Sequence, residues 1–392
     1  MLQGETIVII SDVDWRGHWV CEQQISSLLS EQNRVLYIEQ TRTLLSFLNK
    51  SGDTSPLNKI KLISRGVQKR RDNLFTVSPP LILPFKYLPV IYQVNQTIRL
   101  LWLKRIMKNL SFNSPIVITF DPDSGAMIGQ LGEKLSIFYR NDNHDKRGLW
   151  FNPNRLVKKR EAQLMNKVDL VCALTNGLAR ICRECNANTF VLPNGVNLEL
   201  FSGSSGEPED ISEIPHPRIG IIGMLDWRTD VELIEILAHN HQEWSIVFIG
   251  PVNPSDHKMF KKLRTMANVH FLGLKRVSDI PRYMKAVDVG LIPYKITEYT
   301  RDILSLKIFE YSASGIPTVA TPMPELLKYS EFIDIADGHR EFEDCILALI
   351  ECPDRKKSEK LFEFVKSNTW LARVEQLSQI IHLIERKHRG AL

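Results

Sequence analysis

Short apolar runs alternate with helical stretches along the whole 392-residue chain. Residues 6–11 read TIVIIS and residues 115–120 read PIVITF, and similar runs lie at 34–39, 135–139 and 169–174. Continuous runs rich in Val and Ile are typical of parallel strands that are buried on both faces. Because helical stretches separate these runs, the sequence predicts an α/β fold with a doubly wound parallel sheet.

The alternation stops and then starts again in the second half of the chain. Residues 201–217 (FSGSSGEPEDISEIPHP) lose all periodicity and are rich in Gly, Ser, Pro and acidic residues, which predicts a linker. From Arg218 the chain reads RIGIIG, and SIVFIG, VHFLG, VDVGLIP, PTVAT and FIDIA follow. Helical periodicity is predicted at 231–239 and 258–266. The expected organisation is two Rossmann-like domains over residues 1–200 and 218–368, and a terminal helix over 369–392.

Missing motifs argue against several functions of such a fold. A dinucleotide-binding domain needs Gly-x-Gly-x-x-Gly after its first strand, but that position offers Gly17 alone in the first domain. The second domain has Gly220 and Gly223 without a third glycine, and no P-loop is present. No apolar run reaches the roughly 18 residues of a membrane-spanning helix. Six cysteines are too few for a disulfide scaffold. We therefore expect a cytoplasmic protein, or one at the inner face of the cell membrane.

Charge divides unevenly between the two halves. Residues 1–200 hold 26 Lys and Arg against 17 Asp and Glu, whereas residues 201–392 hold 24 against 28. A basic half indicates an anionic substrate or surface, and both nucleic acid and an anionic membrane satisfy this condition.

The segment 295–322 (KITEYTRDILSLKIFEYSASGIPTVATP) places charged residues just before a predicted helix over 304–314. Arg301 and Lys307 bring positive charge to the start of that helix, where backbone N–H groups also favour anions. Glu310 lies one turn after Lys307 on the same helix face. Phosphates on the cations and ribose hydroxyls on the carboxylate would form a nucleoside-diphosphate site. The alternative is a solvated helix with an ordinary Lys–Glu pair.

At this point the sequence resembles the GT-B glycosyltransferases, and most closely the bacterial polysaccharide-type branch grouped with families 4 and 1. The matching text is IGIIGMLDWRTDVELIEIL, EWSIVFIGPV, VHFLGLKRVSDIPRYMKAVDVGLIPY, EYTRDILSLKIFEYSASGIPTVATP and SNTWLARVEQL. The resemblance implies two Rossmann-like domains that face a central cleft, with the last helix crossing back to the first domain. It implies an acceptor in the first domain and a UDP- or GDP-linked sugar in the second. No metal or other cofactor is expected.

The resemblance also implies particular donor residues. Glu310 is similar to the ribose-binding acid of the family, while Asp302 stands where relatives have a longer Glu. Met224 and Thr229 occupy the places of an Arg and a Lys that many relatives carry, and Arg228 is a possible substitute. The donor-binding set that we predict is Lys307, Glu310, Arg301, Arg228, Thr300, Gly223, Lys275 and Tyr294.

Several residues of the first domain are candidates for the acceptor side. Asp142 follows the strand LSIFY, in a stretch that resembles the strand end where inverting relatives keep a catalytic aspartate; a turn is the alternative. The predicted catalytic residues are Asp142, Asp302, His18 and Asp14, and the predicted acceptor-binding residues are Gly17, Trp15 and Arg140. Asp12-Val-Asp14 and Asp121-Pro-Asp123 have Asp-x-Asp spacing, but both fit strand-end caps better than a metal site.

Residues 79–108 combine apolar and aromatic side chains with Arg99, Lys104, Arg105 and Lys108. This mixture suits peripheral contact with an anionic membrane, and it suits a core helix with a basic outer side as well.

The sequence thus predicts a metal-independent glycosyltransferase of surface polysaccharide biosynthesis that acts on a glycan or lipid-linked acceptor, without nucleic acid. The acidic pair favours retention of configuration, while Asp142 and the shorter Asp302 favour inversion. Two alternatives share the fold: a sugar-nucleotide epimerase, and a non-catalytic sugar-nucleotide-binding protein.

Overall fold

The structure is a computed structural model, and it describes residues 1–16, 19–45, 66–142, 154–203, 206–352 and 355–390. The chain divides into two compact units. Unit 1 consists of Met1–Pro193 with Arg373–Leu392, and unit 2 consists of Asn194–Ala372. Each unit is a parallel sheet with helices, as the sequence predicts.

Unit 1 is built on an eight-stranded sheet in the order β3-β4-β2-β1-β5-β6-β7-β8. Its strands are β1 Thr6–Ile10, β2 Arg34–Ile38, β3 Gln68–Arg71, β4 Leu74–Val77, β5 Ile116–Thr119, β6 Leu135–Arg140, β7 Leu170–Ala173 and β8 Thr189–Val191. All neighbours are parallel except β3 and β4. The chain passes from β1 to β2 on one side and returns to β5 on the other. The carboxyl ends of β1 and β5 therefore form a topological switch point, where ligands of such sheets bind.

The apolar strands of unit 1 pack against helices because both of their faces are hydrophobic. The side chains of Val8, Ile10, Val117 and Phe138 all lie in one core cluster. The helices of this part of unit 1 are Cys21–Leu29, Pro89–Asn109, Asn154–Lys167 and Asn176–Arg183.

The last helix, Trp370–Gly390, belongs to unit 1 from Arg373 onward. Val374, Leu377 and Ile381 on it are fully buried. The Leu2 backbone N–H donates to Ser378 Oγ at 3.1 Å, which ties the helix to the start of the chain. The helix thus returns to the first unit, as the resemblance implies.

Unit 2 is built on a six-stranded parallel sheet in the order β11-β10-β9-β12-β13-β14. Its strands are β9 Arg218–Ile222, β10 Ser245–Ile249, β11 Val269–Gly273, β12 Val289–Ile292, β13 Thr318–Ala320 and β14 Asp334–Ile335. The chain moves from β9 to β10 and β11 on one side, and then to β12 on the other. The second topological switch point therefore lies at the carboxyl ends of β9 and β12.

One helix predicted in unit 2 does not form. The helices of unit 2 are Leu198–Ser202, Glu209–Ser212, Val231–Asn240, Ile280–Lys285, Lys307–Ala313, Pro324–Leu327, His339–Glu351 and Arg355–Lys366. The stretch 258–266, predicted as a helix, instead forms turns that end in a 3-10 helix at Leu263–Thr265. Phe260 and Leu263 in it are fully buried, so its apolar residues anchor the turns on the sheet.

The boundary between the units also differs from the prediction. The structure divides the chain after Pro193, and residues 201–217 belong to unit 2. Phe201, Ile211 and Ile214 from the predicted linker lie in the core of that unit. The composition of this segment is dominated by Gly, Ser and acidic residues, but its few apolar residues pack against the sheet and fix the segment there.

No helix among the described residues is long and apolar enough to cross a membrane.

Candidate functional site

Two glycines allow the backbone to approach closely at the switch point of unit 2. Gly223 follows β9 with φ +131°, and Gly250 follows β10 with φ +146°. A Cβ on Gly250 would collide with the Gly223 carbonyl oxygen, and a Cβ on Gly223 would lie 3.0 Å from Lys307 Cε. The predicted donor residue Gly223 therefore lies directly against the Lys307 side chain, at the edge of the sheet.

Lys307 and Glu310 form an ion pair between Nζ and Oε2, and both side chains are largely buried. They lie on the helix Lys307–Ala313, which begins three residues later than the sequence predicts. Tyr311 of the same helix fixes it to β9, since its hydroxyl donates to the Gly220 carbonyl at 3.0 Å and accepts from the Ile222 N–H at 3.2 Å. The structure thus brings together the two residues that carry the predicted nucleotide site.

Arg228 lies in the loop after β9, and contacts with a carboxylate and with an aromatic ring fix its side chain. Its guanidinium donates to both carboxylate oxygens of Asp226, with Nη2 2.6 Å from Oδ2. It also lies over the ring of Tyr294, 5.5 Å from the centroid. Burial lowers the pKa of Arg228, but the hydrogen bond to Asp226 and the charges of Asp226 and the nearby tyrosines together raise this pKa above its ordinary value. Arg228 therefore stays charged and fixed in orientation beside Tyr294.

The two positions where relatives carry Arg and Lys have different surroundings here. The Met224 side chain is about half exposed, whereas Thr229 is buried. The backbone N–H of Lys295 donates to the Arg228 carbonyl at 2.7 Å, so the loop after β9 is pinned to the segment after β12. This loop supplies one positive side chain, Arg228, in place of the two expected from the resemblance.

Thr300, Arg301 and Asp302 form a 3-10 helix ahead of Lys307. The Thr300 hydroxyl donates to the Lys295 carbonyl at 2.5 Å, and the residue is fully buried. Arg301 is exposed and Asp302 is half-buried. Thr300 is thus committed to holding the turn and is not available to a ligand, which corrects its prediction as a donor-binding residue.

Lys275 was also predicted to bind the donor, and the structure separates it from the other residues. It follows the edge strand β11, two strands away from β9. Its Nζ pairs with Asp210 Oδ2 at 2.5 Å and lies 5.1 Å from the centroid of the Tyr283 ring. Lys275 therefore fastens residue 210 of the predicted linker to the sheet.

The switch point of unit 1 contains a carboxyl group that the sequence reading missed. Glu22, the second residue of the helix Cys21–Leu29, is 1% exposed. Asn141 Nδ2 donates to its Oε1 at 2.7 Å, and Cys21 Sγ lies 3.1 Å from its Oε2. Burial, the charge of Asp12 and a hydrogen bond with Asp12 raise the pKa of Glu22 to about 7. The signal in the sequence is a glutamate at the second position of the helix that follows the first strand.

The predicted acceptor-side residues around Asp14 lie close to this group. Asp14 pairs with Arg42, and burial nevertheless raises the pKa of its carboxyl. Trp15 is buried against the rings of Trp19 and Tyr37, with centroids 5.2 Å and 5.1 Å away. Asp142 is half-buried and follows Asn141 at the end of β6. Gly17 and His18 lie outside the described residues.

Arg140 does not take the position predicted for an acceptor-binding residue. It is the last residue of β6, and its guanidinium forms a bidentate pair with Glu161 at 3.0 Å and 2.8 Å. Both side chains are almost fully buried. The Arg140 side chain reaches Glu161 on the helix Asn154–Lys167, and the two residues form a structural ion pair.

The Asp-x-Asp segment after β5 is neutralised by cations. Arg99 Nη2 lies 2.6 Å from Asp121 Oδ2, while Asp123 pairs with Lys86 at 2.6 Å and with Arg160 at 3.0 Å. Across the described ranges, no group of three or more His, Cys, Asp and Glu side chains is arranged to hold a metal ion.

The predicted membrane segment forms an irregular stretch with a turn, followed by the helix Pro89–Asn109. One face of this helix is exposed and apolar, and Val90 (72% exposed) and Leu101 (63% exposed) are its most open members. The exposed apolar residues are Leu83, Phe85, Tyr87, Leu88, Val90, Val94, Ile98 and Leu101. We call this set the apolar stripe. Lys104, Arg105 and Lys108 follow it and are exposed.

Comparisons with known proteins give three kinds of match. The family model of glycosyl transferases group 1 matches residues 216–352. A putative teichuronic acid biosynthesis glycosyltransferase, TuaH of Bacillus subtilis strain 168, is 27% identical over 182 residues, which is 44% of this chain and 45% of that protein. The match thus spans somewhat less than half the length of the curated relative.

Solved structures match over nearly the whole chain. Sucrose-phosphate synthase from Thermosynechococcus elongatus has a TM-score of 0.73 at 16% identity, covering 98% of this chain and 100% of that one. Trehalose 6-phosphate synthase from Burkholderia multivorans has a TM-score of 0.70 at 12% identity with full coverage of both chains. Anabaena HepE, solved in complex with UDP, has a TM-score of 0.67 at 13% identity, covering 96% and 99%. At these identities the likeness establishes the fold.

Proposed function

The chain has the GT-B fold and its second unit matches the group 1 glycosyl transferases, and from this premise we propose that it transfers a sugar from a nucleoside diphosphate to an acceptor hydroxyl. The resemblance read from the sequence is confirmed at the level of family and fold.

The observation that carries this proposal is the Lys307–Glu310 pair beside Gly223. Sugar transfer expels a nucleoside diphosphate, so negative charge grows on the diphosphate in the transition state. A fixed cation at that position stabilises the transition state more than the ground state. A diphosphate would draw Lys307 Nζ away from Glu310, and the ribose hydroxyls would then donate to the freed carboxylate. Arg301, which is exposed in the 3-10 helix that precedes Lys307, is the candidate for a second cation.

We propose UDP or GDP as the nucleotide of the donor. The structure of HepE with UDP supports UDP, since that chain has the same fold. Arg228 and Tyr294 form a rigid charged and aromatic pair beside β9, which suits the phosphate and the base or sugar of such a donor.

We propose a glycan or lipid-linked acceptor bound by unit 1, and Asp142 and Asp14 are candidates to contact it. The name of the TuaH relative, which refers to teichuronic acid, supports an acceptor in surface polysaccharide biosynthesis.

We further propose that unit 1 contacts the membrane through the apolar stripe. Apolar side chains next to exposed Lys and Arg bind anionic bilayers, because insertion and charge attraction add. Arg99 does not contribute, since it is buried against Asp121. The external charges are those of Lys104, Arg105 and Lys108.

A thermal-shift panel of UDP, GDP and ADP, and of their sugars, tests the donor site. We expect one nucleotide to raise the Tm of the wild type, and Lys307→Ala and Glu310→Ala to abolish most of that rise. Lys328→Ala is the matched control, because Lys328 forms a similar i,i+3 pair with Glu325 in the same unit. If no nucleotide raises the Tm, the donor proposal fails; if both variants respond like the wild type, the site proposal fails.

Cosedimentation with anionic liposomes at low salt tests the membrane proposal. We expect Leu101→Asp to release the protein, and Leu383→Asp, an exposed leucine on the last helix, to leave binding unchanged. Equal binding of both variants would contradict the proposed surface.

The loss of the Arg and Lys found in relatives, at Met224 and Thr229, favours a second candidate: a sugar-nucleotide-binding protein without transferase activity. Such a protein would show the thermal shift and would transfer no sugar to any acceptor.

A further inference from the structure

Two aromatic side chains lie against each other at the carboxyl-terminal edge of the unit 2 sheet. Trp227 belongs to the loop between β9 and the helix Val231–Asn240, and Tyr299 belongs to the segment between β12 and Lys307. Their ring centroids are 5.3 Å apart, and the ring planes are inclined by 53°. We call these two residues the aromatic pair. The pair joins the two loops that leave the switch point of unit 2.

Trp227 lies at the surface although its side chain is one of the largest apolar groups in a protein. It is 40% exposed, whereas Trp244 of the same unit is 2% exposed and lies in a core cluster. Met224 in the same loop is about half exposed, and Tyr299 is half-buried. Burying a side chain of this size would stabilise the fold more than leaving it in water. An exposed Trp beside a second ring is typical of surfaces that bind a ligand or a partner.

Hydrogen bonds fix the loop that carries the indole ring. The Trp227 backbone N–H donates to Asp256 Oδ2 at 3.2 Å, and the Arg228 backbone N–H donates to Asp226 Oδ1 at 3.0 Å. The Arg228 carbonyl accepts from the Lys295 backbone N–H at 2.7 Å. A surface that is held in place before binding loses little conformational entropy when a ligand arrives.

The proposed donor residues define the direction in which a nucleotide sugar would lie. Glu310, the candidate for the ribose, comes one turn after Lys307, the candidate for the diphosphate, on the same helix. The sugar is attached on the far side of the diphosphate from the ribose, so it would lie ahead of this helix. Tyr299 lies in the segment that leads into the helix, and Trp227 lies in the loop that begins at Gly223, which contacts Lys307. The aromatic pair therefore adjoins the expected place of the sugar.

We propose that the aromatic pair binds the pyranose ring of the nucleotide-sugar donor, with one face of the sugar against the Trp227 indole. The inference rests on the proposed function of unit 2 as the donor-binding part of a glycosyltransferase. A pyranose ring presents C–H groups with small positive partial charges on its faces, whereas the face of an indole ring is negative. Stacking also removes apolar surface of both rings from water. The contact raises the affinity for the nucleotide sugar relative to the free nucleoside diphosphate.

Calorimetric titration with UDP, UDP-glucose, GDP and GDP-mannose tests the proposal. The measured quantity is the Kd of the free diphosphate divided by the Kd of its sugar, for the nucleotide that the wild type binds more tightly. Trp227→Ala should lower this ratio by about tenfold, because the stacking contact and the buried area are both lost, and should leave the Kd of the free diphosphate unchanged. Trp227→Phe and Tyr299→Phe retain both rings and should keep most of the ratio. Trp227→Leu, which is apolar but has no π face, should have a lower ratio than Trp227→Phe.

Phe362→Ala is the matched control, because Phe362 is an exposed ring on the helix Arg355–Lys366 of the same unit. It should keep both wild-type Kd values. A wild-type ratio in Trp227→Ala overturns the inference, and so does an equal loss of affinity for the free diphosphate and its sugar; in both cases the donor site stands. If the wild type binds neither nucleotide nor nucleotide sugar, the proposed function fails, and this inference fails with it.

Tryptophan fluorescence gives a second readout, which a purely structural role of Trp227 would not change. The difference between the spectra of the wild type and Trp227→Phe isolates the emission of one of the seven tryptophans. This emission should shift to shorter wavelength when the nucleotide sugar is added, because the sugar removes water from the exposed indole. The free diphosphate should leave it unchanged. The same response to both ligands would contradict the proposed contact.

Discussion

One topological switch point of this chain carries cations and the other carries carboxyl groups. In unit 2, the carboxyl ends of β9 and β12 adjoin Lys307 and Arg228, with Glu310 as a local partner. In unit 1, the carboxyl ends of β1 and β5 adjoin Asp12 and the buried carboxyl group of Glu22. One edge carries cations, and the other carries a buried carboxyl group whose pKa is raised.

This contrast is the reverse of the net charges of the two halves. Residues 1–200 are basic and residues 201–392 are mildly acidic. The basic half nevertheless keeps two adjoining carboxyls at its ligand edge, and the acidic half keeps its cations there. Interactions at a site are decided by groups within a few ångströms, because exposed charges beyond about 8 Å are largely screened at physiological salt. Net charge describes the outer surface, to which Lys104, Arg105 and Lys108 belong.

The largest expected effect concerns the cation of unit 2. Lys307→Ala should lower kcat for sugar transfer by roughly 10²- to 10³-fold, as is typical when one stabilising donor of a developing anion is lost. Steady-state kinetics with a labelled donor measures this. Lys328→Ala serves as the control, and an unchanged kcat in Lys307→Ala would mean that the cationic edge has no part in the reaction.

The next effect separates a structural charge in unit 1 from a functional one. Glu161→Gln should lower the free energy of unfolding by about 3–5 kcal/mol, because it removes the carboxylate that forms the buried bidentate pair with Arg140. Urea unfolding measures this loss. Glu161→Gln with Arg140→Met, which removes both charges, should recover most of it. If the double variant is no more stable than the single one, the buried Arg140 charge is not the cause.

The pH dependence of stability addresses the carboxyl edge directly. The pKa of Glu22 is raised to about 7 in the folded chain, so the folded state holds a proton that the unfolded state releases at lower pH. The contribution of Glu22 to stability is complete below the ordinary carboxyl pKa and is lost as pH rises through about 7. The loss amounts to at most about 3 kcal/mol.

Glu22→Gln should remove this dependence. As pH rises from 5 to 8 the wild type loses stability and the variant does not, so the difference between them should shift in favour of the variant. Unfolding by urea at these two pH values is the measurement. An equal stability difference between variant and wild type at both values would show that Glu22 is not protonated in the fold.

The smallest effect concerns the glycine contact that shapes the cationic edge. Gly250→Ala should destabilise the fold by about 1–3 kcal/mol, because its φ lies in the left-handed region and its Cβ would meet the Gly223 carbonyl. Gly338→Ala, which is also at positive φ but has open space around it, should cost less. Thermal unfolding compares the two, and equal losses would mean that backbone strain alone, rather than the close approach, matters.

The sequence predicted the strands well because buried parallel strands are continuous apolar runs. Thr6–Ile10 and Arg218–Ile222 lie almost where the text TIVIIS and RIGIIG places them. The grouping of Lys307 with Glu310 also followed from the sequence, since residues three apart share one helix face.

Other features depend on contacts between distant segments and could not be predicted from local patterns. In the sequence, Arg140 is a cation at the end of a predicted strand, and only the fold shows that Glu161 from a distant helix pairs with it. The composition of residues 201–217 is typical of a linker, but Ile211 and Ile214 are part of the core of unit 2. Glu22 acquires its raised pKa from burial and from Asp12, neither of which the spacing reveals.

The most direct test of the donor edge is calorimetric titration of UDP and UMP, or GDP and GMP, into the wild type and Lys307→Ala. If Lys307 holds the diphosphate, the wild type binds the diphosphate at least tenfold more tightly than the monophosphate, and Lys307→Ala loses most of that difference while its monophosphate affinity is unchanged. Lys328→Ala should behave like the wild type. A Lys307→Ala protein that keeps the full preference for the diphosphate would contradict the account.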